Sequence, residues 1–114
     1  KENIPFLKRS AEMHKKANNQ IGLESNYFAL GVTYRVLGNP LKAIELYNKA
    51  IAMSKKQKNE AVIHSRYLGL SNSYADLKDY QKAYKYHLDY CPTYNLITFL
   101  IHYIFLLYSL KNQD

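Results

Sequence analysis

Laid against itself at an offset of 40 residues, the sequence pairs Ser25 with Ser65, Tyr27 with Tyr67, Leu30 with Leu70, Tyr34 with Tyr74, Leu37 with Leu77, and Lys42-Ala43 with Lys82-Ala83. Upstream, the same register sets Met13 over Met53, Lys15-Lys16 over Lys55-Lys56 and Asn19 over Asn59, so the N-terminal residues hold part of an earlier copy. An internal repeat restricts a chain to architectures in which one structural unit stacks on the next. The matched apolar positions, Tyr27, Leu30, Tyr34, Leu37 and their copies, step by three and four, so each set lies along one face of a helix.

A turn follows each stripe, Gly38-Asn39-Pro40 in the first copy and Lys78-Asp79 in the second. Gly38 suits a left-handed helix end, and Pro40 suits the first turn of a new helix, where its missing N–H is not needed. The second helix of the unit carries Ala43, Leu46, Tyr47, Ala50, Ile51 and Met53 in one copy and Ala83, Tyr86, His87 and Tyr90 in the other. Small residues at Ala43 and Ala83, opposite Gly31 and Ser71, let the paired helices approach closely. Four glycines and three prolines are too few for the turn-rich pattern of a sandwich or barrel. A hydrophobic content of 47% and 114 residues fit one folded domain.

These residues resemble the tetratricopeptide repeat family, whose pattern falls here on Tyr27, Leu30-Gly31, Tyr34, Ala43, Tyr47 and Ala50, and again on Tyr67, Leu70, Ser71, Tyr74 and Ala83. The second copy departs late, with His87 in an aromatic position and Tyr90 in a small one. The period of 40 exceeds the family's basic 34, a long variant familiar from bacterial signalling proteins, and the extra residues lengthen the helices around Lys55 to Val62. The resemblance implies an all-α solenoid of right-handed helical hairpins. It divides the chain into a partial repeat helix over 6–22, repeats over 23–58 and 60–91, and a closing apolar helix over 95–110.

The resemblance also implies a non-enzymatic scaffold whose first helices line a concave groove for protein or peptide partners, as the sensing or interaction module of a larger signalling protein. Carried over position by position, that groove is Ser25, Phe28, Val32 and Arg35, then Ser65, Leu68, Asn72 and Ala75, apolar with one cation and one amide. Chaperone-adaptor members clamp a C-terminal carboxylate with lysine and asparagine. Phe28 stands at the lysine position here, so that clamp is incomplete, and Asn72 is left to bond a peptide backbone.

No catalytic constellation, metal site or cofactor is expected. His14, His64, His87 and His102 show no i, i+4 pairing, and the single Cys91 precedes Pro92 without an active-site motif. The four glycines are scattered, so no phosphate loop is built, and Asp76 and Asp79 flank a turn as capping and solvating groups. The tyrosines at signature positions read as packing residues, while Tyr80, Tyr84 and Tyr94 are freer.

A net charge of +7 raises nucleic acid as a rival partner, but the lysines fall in small groups that suit solvated helix ends, and only Arg9, Arg35 and Arg66 are arginine. The chain starts at Lys1 with no leader pattern and reads as an excised or processed piece. Residues 95–110 are apolar nearly all round, which leaves three readings. The segment caps the last repeat against Tyr84 to Tyr90, associates with a second copy or a further domain through Phe99, Tyr103, Phe105 and Leu106, or spans a membrane with help from Cys91 to Tyr94. The expected location is the cytoplasm, with an extracytoplasmic or membrane-tethered one as the alternatives.

Overall fold

The structure, a computed structural model, describes residues 3–90 and 96–112. It consists of α1 (Asn3–Lys16), α2 (Gln20–Val36), α3 (Pro40–Lys56), α4 (Glu60–Asp76), α5 (Tyr80–Tyr90) and α6 (Leu96–Lys111), with no strand among the described residues. Helices α1 to α5 each pack on the next, and α2 also meets α4. This is an all-α stack of helical hairpins, α2 with α3 and α4 with α5, led by α1 and followed by an apolar helix.

The joints between α1 and α5 repeat every 20 residues, half the period found in the apolar stripes. Asn18, Gly38, Lys58 and Lys78 each take a left-handed backbone, with φ of 53°, 85°, 56° and 62°. The residues after them are Asn19, Asn39, Asn59 and Asp79. Each sends its amide back to a carbonyl five residues earlier, at His14, Tyr34, Ser54 and Tyr74, which closes the old helix. The side-chain oxygen of the same residue accepts the amide three positions on, at Gly22, Lys42, Val62 and Lys82, which opens the new one. One residue thus terminates one helix and caps the next, so each turn takes three residues. Pro40 occupies the first turn of α3, as its missing donor allows.

The core lies between the hairpins. Ala43, Ile44, Tyr47 and Ile51 of α3 and Leu70 of α4 are buried together, with Phe28, Tyr34, Tyr67, Tyr74 and Tyr86 packed around them. The small positions act differently in the two copies. In the second, the buried Ser71 hydroxyl donates to the Ala83 carbonyl at 2.7 Å, tying α4 to the backbone of α5. In the first, Gly31 lies under the ring of Tyr47. Serine hydroxyls inside the stack, Ser54 and Ser73, donate to carbonyls four residues back and so remain satisfied while fully buried.

The described part of α5 ends at Tyr90, and α6 approaches its first half in antiparallel order. His102 meets Tyr84 edge-on at 6.4 Å, and Tyr80, Gln81 and Tyr84 share a cleft with Tyr103, Leu106 and Ser109. Among the described side chains, residues 102–109 thus lie beside residues 80–84, so the expected contact with Tyr84 to Tyr90 is met at Tyr84, and the side chains of residues 96–99 lie outside the described residues.

Candidate peptide-binding face

Helical spacing sets Ser25, Phe28, Val32 and Arg35 on one face of α2 and Ser65, Leu68, Asn72 and Ala75 on the corresponding face of α4. Ser25 is exposed, and the Ser65 hydroxyl donates to the Val62 carbonyl at 2.8 Å. Leu68, Asn72 and Ala75 are half-buried. Phe28 and Val32 share an open apolar pocket of about 490 Å³ with Phe6 and Leu7 of α1. The sequence comparison contained no signal for that contribution of α1, since Phe6 and Leu7 lie outside the matched stripes.

Two ion pairs join α2 and α4 along this face. Glu24, 3% exposed, takes both Nε and Nη2 of Arg66, at 2.7 and 3.0 Å. The Arg66 guanidinium lies 3.9 Å over the Phe28 ring, so cation and aromatic shield each other from water. Farther along, Arg35 Nε approaches Asp76 at 2.8 Å, with both side chains about one third exposed. The expected lone cation of the face is therefore neutralised, and Asp76 is a structural partner rather than a turn-solvating group. Neither pair follows from periodicity, because partners 41 and 42 residues apart meet only once the helices are stacked.

Tyr47 of α3 stands behind the face. Its ring fills the space above both Gly31 and Gly69, tilts against Phe28 at 5.6 Å, and is 1% exposed. Burial pushes its hydroxyl above the ordinary tyrosine value of 10.0; Arg35 draws it back and Asp76 adds to the rise. The charge of the molecule lies elsewhere. Lys8, Arg9, Lys15 and Lys16 on α1 and Lys42, Lys49, Lys55 and Lys56 on α3 share those helices with two carboxylates, Glu12 and Glu45.

Tyr103, Phe105 and Leu106 line the cleft against α5, and the side chain of Phe99 lies outside the described residues. The stripe of α6 outside that cleft is Ile101, Ile104 and Tyr108, each at least 60% exposed. Cys91 to Tyr94, needed for a membrane span, also lie outside the described residues, and no helix among those described is long and apolar enough to cross a membrane. His87 is half-buried and tilts against Tyr90 at 5.9 Å. Among the described residues, no three His, Cys, Asp or Glu side chains are grouped to hold a metal ion.

Comparison with known proteins agrees with this architecture. Residues 24–62 match the family model of the tetratricopeptide repeat, a stretch that takes in most of α2, all of α3 and the first residues of α4. Over 115 aligned residues the chain is 29% identical to response regulator aspartate phosphatase A of Bacillus subtilis strain 168. The match takes in 97% of this chain and 30% of that protein's length. No solved structure matches the chain.

Proposed function

We propose that the α2–α4 face binds a peptide segment of a protein partner and that this tetratricopeptide-repeat chain serves as the interaction module of a signalling protein. The observation that carries this reading is the open apolar pocket of Phe6, Leu7, Phe28 and Val32. It lies between α1 and α2, on the side of α2 that repeats of this family present to peptides, and α2 is set against α4 by the Tyr47 ring and the Glu24–Arg66 and Arg35–Asp76 pairs. The chain contributes recognition rather than catalysis. A signalling setting is supported by the Bacillus subtilis relative, whose name is response regulator aspartate phosphatase A, and the reading places the chain in the cytoplasm.

Selection of the chain against a displayed library of random hexapeptides tests the reading. Enriched peptides should carry an apolar anchor and be lost with Val32→Glu, which places a charge at the pocket mouth. Enrichment indifferent to Val32→Glu removes the site from this face. Binding of labelled RNA or DNA with a steep salt slope, in place of peptide selection, favours the electrostatic rival.

Helix α6 supports a second reading, association with another copy of the chain. Between Leu96 and Leu110 it holds no Asp, Glu, Lys or Arg, so a like helix is met without repulsion despite the net charge of +7.

A further inference from the structure

In the second repeat, Tyr86 of α5 lies between Tyr67 and Tyr74. Its ring centroid is 5.9 and 5.5 Å from theirs, and the planes lie within 16° and 11° of parallel. The first repeat keeps both flanking tyrosines, Tyr27 and Tyr34, but holds Leu46 at the position 40 residues before Tyr86. A leucine supplies no ring to stack. Tyr27 and Tyr34 instead border an open cleft of about 360 Å³, floored by Leu30 and Leu46 and walled on its far side by α1. The cleft opens on the side of α2 opposite Phe28 and Val32, so it is separate from the proposed peptide face.

The rim of this cleft is cationic. Lys8, Arg9 and Lys15 line it from α1 and Lys42 from α3, with Glu12 the one carboxylate among the lining residues. Lys15 reaches Glu12 at 3.7 Å and Lys42 reaches Glu45 at 3.4 Å, both across exposed helix surface. Lys8 and Arg9 enter no ion pair among the described residues. From Lys8 to Lys15 the rim follows about 10 Å of helix. That spread matches carboxylates spaced along an extended chain, which covers about 10 Å in three residues. A lone phosphate group calls instead for converging donors.

We propose that the cleft between α1 and α3 binds an acidic peptide through one aromatic side chain, which enters between Tyr27 and Tyr34 as Tyr86 does between Tyr67 and Tyr74. The ring supplies selectivity through stacking, and the carboxylates on either side of it meet Lys8, Arg9, Lys15 and Lys42.

Calorimetric titration of the 114-residue chain with blocked peptides tests this. The acidic aromatic peptide EEFEE should bind saturably, EEAEE should bind about ten-fold more weakly for want of the ring, and KKFKK should not bind. Leu46→Tyr supplies the ring from within and should erase the preference for EEFEE over EEAEE. Lys8→Glu combined with Arg9→Glu, both on exposed surface, should abolish binding with the helical circular dichroism unchanged, and this pair decides the matter if Leu46→Tyr fails to fold. Val32→Glu should leave EEFEE binding intact, which separates this cleft from the α2–α4 face. Equal binding of EEFEE and EEAEE, a preference that survives Leu46→Tyr, or tighter binding of AMP than of EEFEE overturns the proposal.

Discussion

The Tyr47 ring covers Gly69 so closely that a Cβ built there would stand 2.8 Å from its Cζ. A Cβ built at Gly31 would meet the same ring, 2.7 Å from Cε1. One side chain from α3 is thus seated on backbone from both α2 and α4. The two glycines are sites of contact rather than of backbone freedom, since both lie inside helices.

Alanine at Gly69 should therefore destabilise the protein, although alanine is the better helix former by about 1 kcal/mol. The ring is buried and cannot swing away, and overpacking of this kind costs about 1–3 kcal/mol. In a Tyr47→Leu background the clash is gone, and Gly69→Ala should become neutral or stabilising. Denaturant unfolding of the four proteins in that double-mutant cycle measures the coupling; additive effects would show that the ring moves aside freely.

Glu24 and Arg66 should respond asymmetrically to removal. Glu24 is 3% exposed, whereas the Arg66 side chain is 15% exposed, so the carboxylate is the charge less able to turn to water. Arg66→Met should cost about 3 kcal/mol or more, because it leaves a buried charge without a partner, and Glu24→Gln should cost less. Replacing both with leucine should restore much of the loss. Urea unfolding midpoints give the order of the three variants.

Most of the fold was legible because apolar residues at helical spacing recur where helices recur: Tyr27, Leu30 and Tyr34 against Tyr67, Leu70 and Tyr74. The shorter period of the turns was also written in the sequence, as Asn19, Asn39, Asn59 and Asp79. It does not stand out in an apolar comparison, because the capping residues are polar and their left-handed neighbours are Asn, Gly and Lys. The expected face was legible only as a set of positions. Its charge state was not, since Arg35 meets Asp76 only after α2 and α4 are stacked, and the depth of its pocket comes from Phe6 and Leu7 on a third helix.

Lys58 and Lys78 hold left-handed backbones that suit glycine better than a residue with a Cβ. Gly38 shows the unstrained solution at the equivalent joint. Removing the strain of roughly 1–2 kcal/mol, offset by the greater freedom of unfolded glycine at roughly 0.5–1 kcal/mol, leaves a net gain. Lys58→Gly and Lys78→Gly should each raise the melting temperature by a few degrees. Asn59→Ala, which removes the oxygen that accepts the Val62 amide, should lower stability by about 1 kcal/mol. A fall in melting temperature for either glycine variant would mean that the lysine side chains contribute more than their backbones cost.

Alkaline conditions should weaken the fold through Tyr47. Its hydroxyl is raised above 10.0 by burial, so the unfolded chain releases this proton at a lower pH than the folded chain does. Between the two values the folded state binds more protons, and stability falls as pH rises. The contribution is complete below pH 10 and declines above it. Stability profiles from pH 8 to 11 for the parent and for Tyr47→Phe should diverge only at the alkaline end, the variant losing less; parallel profiles would place the alkaline sensitivity in other groups.

The outer stripe of α6 should govern self-association. Nine apolar side chains from Leu100 to Leu110 stand 45–67% exposed. The face toward α5 already meets Tyr80 and Tyr84, so the surface a second copy would reach is Ile101, Ile104 and Tyr108, spaced by three and four along the helix. An antiparallel pairing of two such stripes sets each Lys111 at the far end of the other helix, about 24 Å away along its axis, where the charges are screened. Light scattering without detergent should show a mass that doubles with concentration, and Ile101→Lys with Ile104→Lys should hold the chain as a monomer with its helical content kept. A parent chain that stays monomeric at every concentration rules out the pairing, and one that dissolves only in detergent assigns the stripe to lipid.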